Sequence, residues 1–166
     1  MTDELLIPLD HISDKPTVFE GHVDLDEFPR LEESLATPEL DLRYKVSAFL
    51  DKQRRKVVSC RIEGFVFLTC QLSLEAFRHE LVIDERLVLV DHESSLPPIE
   101  EESDAEDYLV ADGPVDVLDV VEDAILLALP MIPRKPGVGD EAVSLKDEGG
   151  RRSPFAALAS LKKRTE

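Results

Sequence analysis

Residues 40–50 read LDLRYKVSAFL, and this stretch decides the fold class. From Leu42 to Ala48, apolar side chains alternate with charged or small polar ones. A period of two residues is typical of a strand that has one buried face and one solvated face. We therefore predict a β-strand here, with Arg43 and Lys45 on the face opposite the apolar side chains.

Three more strand candidates follow, at residues 57–63, 65–70 and 81–90. The polar turn KQRRK (52–56) separates the first of them from the preceding strand, and we predict that Gly64 introduces a bulge or bend. Four consecutive strands with short connections predict an antiparallel arrangement. The expected fold is α+β: an antiparallel β-sheet, either a meander or a partly open barrel, flanked by short helices.

Two helices are expected to flank this sheet, over residues 26–35 and 115–129. The second is predicted to begin near Pro114, which suits the first helical position, and to end where Pro130 and Pro133 interrupt it.

Composition divides the chain into a single domain and a tail. Residues 1–133 are predicted to form the domain, including a disordered acidic loop at 91–107 with eight acids and tandem prolines. Residues 134–152 are rich in glycine and charge, which indicates a flexible linker. Residues 153–166 are expected to form a short amphipathic helix that either packs back on the sheet or docks on a partner.

The charge is distributed unevenly along the 166 residues, whose formal net charge is −17. Residues 1–86 contain 18 acids and 11 bases, residues 87–133 contain 13 acids and no Lys or Arg, and residues 134–166 contain 5 acids and 8 bases. Non-specific binding to nucleic acid depends on Lys and Arg displacing counterions, so the overall balance argues against it. It favours basic protein partners or simple solubility.

Several function classes are disfavoured by what the sequence contains. Residues 1–5 place no basic residue ahead of an apolar run, and the longest strictly apolar stretch, 124–133, has ten residues where a membrane span needs about 20. We therefore expect a cytoplasmic protein without a membrane segment, with Cys60 and Cys70 as reduced thiols. The four histidines are scattered and no nucleophile or phosphate-loop motif is present. We predict no catalytic residue, no metal and no cofactor.

Two groups of charged residues are candidates for partner contact. On the 115–129 helix, Asp116, Asp119 and Asp123 lie in one stripe with Glu122 at its edge. The stripe is open to three interpretations: a docking surface for Lys or Arg of a partner, a carboxylate metal site that lacks a nearby histidine, or a solvated helix face. The second group consists of bases, which we take as candidate RNA contacts: Arg43, Lys45, Arg54, Arg55, Lys56, Lys162, Lys163 and Arg164.

Three segments of the chain are informative together: GFVFLTCQLSLEAF (64–77), VDVLDVVEDAILLALPMIP (115–133) and PFAALASLK (154–162). In their order and approximate spacing they resemble the YceD family, the large ribosomal RNA subunit accumulation proteins. The positions that match the family pattern are Gly64, Cys70, Leu74, Asp123, Pro130, Pro133, Pro154, Phe155, Leu158 and Leu161.

The resemblance implies a non-enzymatic role in ribosome biogenesis, in the synthesis, processing or accumulation of 23S (large-subunit) RNA. Two departures from the family pattern bear on a metal or redox role: Ser73 replaces the second cysteine of a Cys-X-X-Cys, and Lys135 stands where a histidine is often found. The partner is expected to be pre-ribosomal large-subunit RNA, a basic ribosomal protein that the acidic surface escorts, or both. The sequence leaves the oligomeric state open.

Overall fold

A computed structural model describes residues 5–98 and 106–138 of the chain. Within these residues, the structure has seven strands and two α-helices, listed here in chain order: β1 (Leu6–Ile7), β2 (Thr17–His22), α1 (Pro29–Glu32), β3 (Leu40–Leu50), β4 (Lys56–Thr69), β5 (Ala76–Val90), β6 (Asp107–Val110), β7 (Val115–Asp116) and α2 (Val117–Ala128). The strands form a five-stranded sheet in the order β2-β3-β4-β5-β6 and a two-stranded pair of β1 with β7. The fold is an α+β type dominated by an open sheet.

The centre of the sheet is the antiparallel meander β3-β4-β5, in which β4 pairs with a neighbour on each side. Burial alternates along these strands, as their sequence period predicts. Leu42, Val46, Cys60 and Ile62 point into the core and are inaccessible to solvent. Helix α2 packs against β3, β4 and β5, and its own buried residues include Val117, Val121 and Ile125. The opposite face of the meander remains open.

Gly64 does not break the strand, contrary to the prediction from sequence. β4 runs through it without interruption, and Gly64 pairs with Leu42 on one side and with Leu81 on the other. Its φ of 144° is a conformation that L side chains rarely adopt, and a Cβ there would overlap the carbonyl oxygen of Asp41. The glycine therefore permits a close approach between β3 and β4.

The two edge strands of the sheet, β2 and β6, were not predicted from the sequence. β2 pairs antiparallel with β3, whereas β6 pairs parallel with β5, so the sheet is not purely antiparallel. β2 is a mostly exposed strand, and β6 has only four residues, so neither produces a strong alternating pattern. Asp107, which was assigned to the acidic loop, is the first residue of β6. Residues 99–105 of that predicted loop lie outside the described residues.

Both flanking helices are shorter than expected. The predicted helix at 26–35 is instead a 3-10 turn, Leu25–Glu27, followed by the four-residue α1. Pro29 occupies the start of α1, where its missing N–H is tolerated. α2 starts at Val117 rather than near Pro114, because the Asp116 side chain accepts a hydrogen bond from the Leu118 N–H (2.8 Å) and caps the helix.

The described residues up to Pro136 lie in one compact unit. The limits predicted for the domain at 133 and for the linker over 134–152 remain predictions. Among the described helices, none is both long and apolar enough to cross a membrane.

Replacing Gly64 with Ala is expected to lower the free energy of unfolding by about 2–4 kcal/mol, because the new Cβ must displace the Asp41 carbonyl at a strained φ. Gly113→Ala is the matched control, since a Cβ at Gly113 meets no atom within 4 Å and its φ is not in the positive range. Urea unfolding of both variants measures the difference. Equal stability of the two variants would contradict the proposed close approach.

Candidate functional site

The bases predicted to contact RNA fall into two groups with different surroundings. Arg43 and Lys45 project from β3 on the open face of the sheet, and both are exposed. Arg61 of β4, which was not among the predicted contacts, lies directly opposite Lys45 in the strand register. We refer to Arg43, Lys45 and Arg61 as the cation cluster. The alternation of apolar and charged residues over 60–63 indicates that Arg61 lies on the open face. Arg61 was not predicted as a contact because it is an isolated base and not part of a run.

Salt bridges neutralise the cation cluster only partly. Lys45 Nζ lies 2.6 Å from a Glu20 carboxylate oxygen, and Arg61 Nε lies 2.9 Å from Glu63 Oε1. Arg43 forms no salt bridge with any described acid. Like charges directly opposite each other on neighbouring strands repel, so the Lys45–Arg61 pair is unfavourable by itself. Glu20, Glu63 and Asp84, which is the register partner of Arg61 on β5, offset part of this repulsion. Two exposed cations that repel each other form a candidate site for binding an anion.

A shallow cavity of about 530 Å³ lies over the cation cluster, between β2, β3 and β4. His22 of β2 forms part of its wall and is the register partner of Arg43. The cavity therefore brings three permanent cations and one imidazole together with two carboxylates, those of Glu20 and Glu63. Its formal charge is positive in a chain whose net charge is −17.

The second group, Arg54, Arg55 and Lys56, occupies the turn between β3 and β4. Arg54 lies 3.1 Å from Asp14, and Lys56 Nζ lies 3.5 Å from Asp91. Each of the three bases is thus adjacent to an acid of the same chain. The structure does not bring this group together with the cation cluster.

Arg55 belongs to a four-residue network that is largely shielded from solvent. It donates to Asp51 (2.8 Å) and Glu106 (3.1 Å), and Arg86 of β5 contacts the same two carboxylates. Glu106, and next Asp51, raise the pKa of Arg55. Burial by itself raises the pKa of Asp51, but hydrogen bonds from the backbone and side chain of Arg55 outweigh it, and the pKa is lowered. The network ties the β3–β4 turn to β5 and to the start of β6.

The four acids predicted to form a contact surface on α2 do not share one environment. Asp116 caps the helix, whereas Asp119 and Asp123 are exposed, with 77% and 59% of their side chains accessible. Glu122 is only 4% exposed and is a buried structural residue, not the edge of a solvated stripe.

Glu122 joins α2 to α1. Its carboxylate accepts the backbone N–H groups of Arg30 (2.9 Å) and Leu31 (3.1 Å), and the Arg30 Nε donates to it at 2.6 Å. The Arg30 guanidinium also lies 2.8 Å from Asp123 and 4.0 Å from Asp119. One arginine therefore faces three acids of α2, which leaves a local excess of negative charge.

The turn after β4 contains the family-pattern residues Cys70 and Leu74. The Cys70 Sγ accepts the backbone N–H groups of Lys135 (3.3 Å) and Ser73 (3.5 Å), and the Gln71 N–H donates to the Pro133 carbonyl at 2.9 Å. The segment after Pro130 is thus fastened to this turn. Leu74 is 75% exposed and has a positive φ of 58°.

The two thiols have opposite electrostatic environments. The hydrogen bond from the Lys135 backbone, followed by those from Ser73, lowers the pKa of Cys70 to about 6. Burial, with a further contribution from Glu85, raises the pKa of Cys60 to about 12. Both cysteines are free. In the part of the chain that the structure describes, no group of three or more His, Cys, Asp or Glu residues is placed to hold a metal ion.

The remaining predicted contacts and family-pattern residues lie outside the described residues: Pro154, Phe155, Leu158, Leu161, Lys162, Lys163 and Arg164.

Comparison with known proteins identifies a family and a curated relative. The model of the family described as "Large ribosomal RNA subunit accumulation protein YceD" matches residues 58–162. The chain is also similar to the protein of that name from Haemophilus influenzae, with 26% identity over 155 residues, which cover 87% of each chain. No solved structure matches the chain significantly.

The thiol environments predict separate titrations. In a Cys60→Ala variant, thiolate absorbance should appear in a transition centred near pH 6, whereas a Cys70→Ala variant should show none until the pH approaches about 12. Because the pKa of Cys70 is lower in the folded state than its ordinary value of 9.0, its contribution to stability is complete above pH 9 and is lost as the pH falls toward 6. Unfolding of the wild type and of Cys70→Ala at pH 6 and pH 9 tests this. A Cys70 transition near pH 9 would contradict the assignment.

Proposed function

The chain belongs to the YceD family, and from this premise we propose that it supports the accumulation of large-subunit (23S) ribosomal RNA as a non-enzymatic binding factor. Members of the family are described as accumulation proteins. We further propose that the chain acts in the cytoplasm by contacting precursor RNA through the cation cluster. The observation that supports this contact is a locally positive cavity on the open sheet face of a strongly acidic protein.

The salt bridges at the cation cluster are exposed, and such pairs contribute at most about 1 kcal/mol. A phosphate group can therefore replace Glu20 beside Lys45 or Glu63 beside Arg61 at low cost. Binding of an anion between Lys45 and Arg61 also relieves their mutual repulsion. Arg43 lies opposite Glu63 in the strand register but forms no salt bridge with a described acid, so its guanidinium can donate two parallel hydrogen bonds to a phosphate.

The net charge of the chain sets the character of this contact. Long-range repulsion between a chain of charge −17 and an RNA backbone disfavours extensive electrostatic wrapping. A few localised phosphate contacts on one face can still form, because salt screens charges that lie more than about 8 Å apart at physiological ionic strength. The contact is therefore selective for RNA that fits the sheet face.

The bases of the β3–β4 turn are not included in the proposed contact. Arg54 and Lys56 each lie beside one acid, so neither adds an excess of positive charge. Displacing Asp51 and Glu106 from Arg55 would break a partly buried network, which costs far more than opening an exposed pair. Lys162, Lys163 and Arg164 are retained as a proposed second contact with RNA.

Replacing Arg43, Lys45 and Arg61 together with Gln should weaken binding to a large-subunit precursor RNA fragment and lower its dependence on salt. If each base contacts one phosphate, the slope of log K against log salt should fall by about 0.7 per contact, or about 2 in total. Filter binding over a salt series measures the slope. The matched control is Lys52→Gln, Arg54→Gln and Lys56→Gln, which removes the same charge from the turn. An equal loss in both triple variants would contradict a localised site.

A second candidate function is an acidic escort that binds a basic large-subunit ribosomal protein. The excess of negative charge around Arg30 favours it, because Asp119 and Asp123 are exposed and share a single arginine. Glu122 is excluded from this surface by its burial. Asp116 contributes little to this surface, because its side chain caps α2.

The escort hypothesis predicts that Asp119→Asn with Asp123→Asn lowers co-purification of a basic ribosomal protein after nuclease treatment, because the partner's Lys or Arg side chains lose their counter-charges. Asp41→Asn with Asp84→Asn is the control, since it removes two exposed acids from the sheet strands instead of from α2. Quantitative mass spectrometry of the purified complexes gives the measurement. Unchanged recovery with the α2 variant would count against the escort.

A further inference from the structure

Beyond the cation cluster, the open face of β4 continues with two aromatic side chains. The rings of Phe65 and Phe67 meet edge to face, with their centroids 6.0 Å apart. The guanidinium of Arg78, from β5, lies over the Phe65 ring at 3.7 Å from its centroid. We refer to Phe65, Phe67 and Arg78 as the stacking group. Both rings are only half-buried.

The stacking group is aligned with the cation cluster. Arg61, Phe65 and Phe67 have the same parity on β4, so their side chains leave the same face of the sheet. At about 3.3 Å per residue, Phe65 lies about 13 Å along the strand from Arg61. Because α2 packs against the other face, this row of side chains is on the solvent side.

Flat groups on an open sheet face are suited to a ligand that is itself flat. Nucleic-acid bases stack on aromatic rings and on the planar guanidinium of arginine, and this requires that the base is not already paired and stacked in a duplex. The outward plane of Arg78, whose other plane covers Phe65, and the half-buried ring of Phe67 offer such a surface.

We propose that the stacking group binds unpaired bases of RNA, so that the ligand of the sheet face is single-stranded RNA whose phosphates lie at the cation cluster. This inference rests on the proposed function, since it specifies the form of RNA that the same face takes. Stacking is tolerant of base identity because every base has a π-face. The face therefore distinguishes single-stranded from double-stranded RNA more than it distinguishes one base sequence from another.

The acids around the stacking group favour a base of the ligand, and not a phosphate, at this position. Glu80 is the register partner of Phe65 and lies 2.6 Å from Arg78 Nε, and Glu63 precedes Phe65 on the same face. Each of these acids is paired with an arginine, so this area has no excess of positive charge to attract a phosphate backbone, whereas an uncharged base needs none. A duplex, which presents phosphates on its outside, is thus disfavoured at this position.

The test uses the full chain and two probes of equal length: a fluorescent oligoadenylate, and the same strand annealed to its complement. Fluorescence anisotropy should show tighter binding of the single strand. Phe67→Leu removes the ring, and Arg78→Lys keeps the charge but removes the plane, so each should weaken single-strand binding by about fivefold or more. Neither change should alter the slope of affinity against salt, because no phosphate contact is lost.

Two control variants separate stacking from general damage. Arg54→Lys makes the same chemical change at an exposed arginine of the β3–β4 turn, and Val82→Ala alters an exposed apolar side chain of β5 on the same face. Both are expected to bind the single strand as the wild type does. Thermal unfolding of all four variants identifies any that are destabilised, and comparison is then made at a temperature where every variant is folded.

The outcomes distinguish this inference from the function on which it rests. If the cation-cluster variant weakens binding but Phe67→Leu and Arg78→Lys do not, only the stacking inference is overturned. Equal affinity for single strand and duplex overturns it as well. If the wild type binds neither probe, the proposed RNA contact itself fails. If the two variants instead lose binding to a lysine-rich peptide, the face is a protein contact and the inference is wrong.

Discussion

The register between β3 and β4 is the constraint on which the arrangement of the open face depends. Gly64 allows the two strands to approach closely at Asp41, and the pairing that results sets Lys45 opposite Arg61. A slip of one residue would turn every outward side chain of one strand toward the core. The cation cluster and the stacking group are therefore products of one backbone alignment, and the glycine that permits it belongs to a segment that matches the family.

The second determinant is the buried carboxylate of Glu122. By accepting two backbone N–H groups from α1 and the side chain of Arg30, it fixes the connection between β2 and β3 against α2. Both helices are thereby held on one side of the sheet. The other side is left for solvent or a partner. A charge of this kind is retained inside a protein only when its hydrogen bonds are satisfied, as they are here.

The sequence predicted the central strands because their side chains alternate with a clear period, and it predicted α2 because prolines mark its end. Pro29 and the Asp116 cap changed the helix boundaries, since local turn chemistry overrides the general pattern. Glu122 was wrongly predicted to lie at the edge of an acidic surface. The spacing of residues on a helix gives the angle between them, but it does not show which segment packs against them. Arg61 was missed because it acquires neighbours only through pairing with β3. The alternation around Arg61 indicates which face its side chain occupies, but not that Lys45 lies beside it.

The opposed like charges at Lys45 and Arg61 also have a thermodynamic consequence. They are a point of local frustration, at which the folded backbone holds together two groups that repel each other. Any polyanion that binds there and not to the unfolded chain must raise the melting temperature by mass action. Heparin or inorganic polyphosphate would then act as a stabilising additive for this acidic protein, against the expectation from its net charge alone.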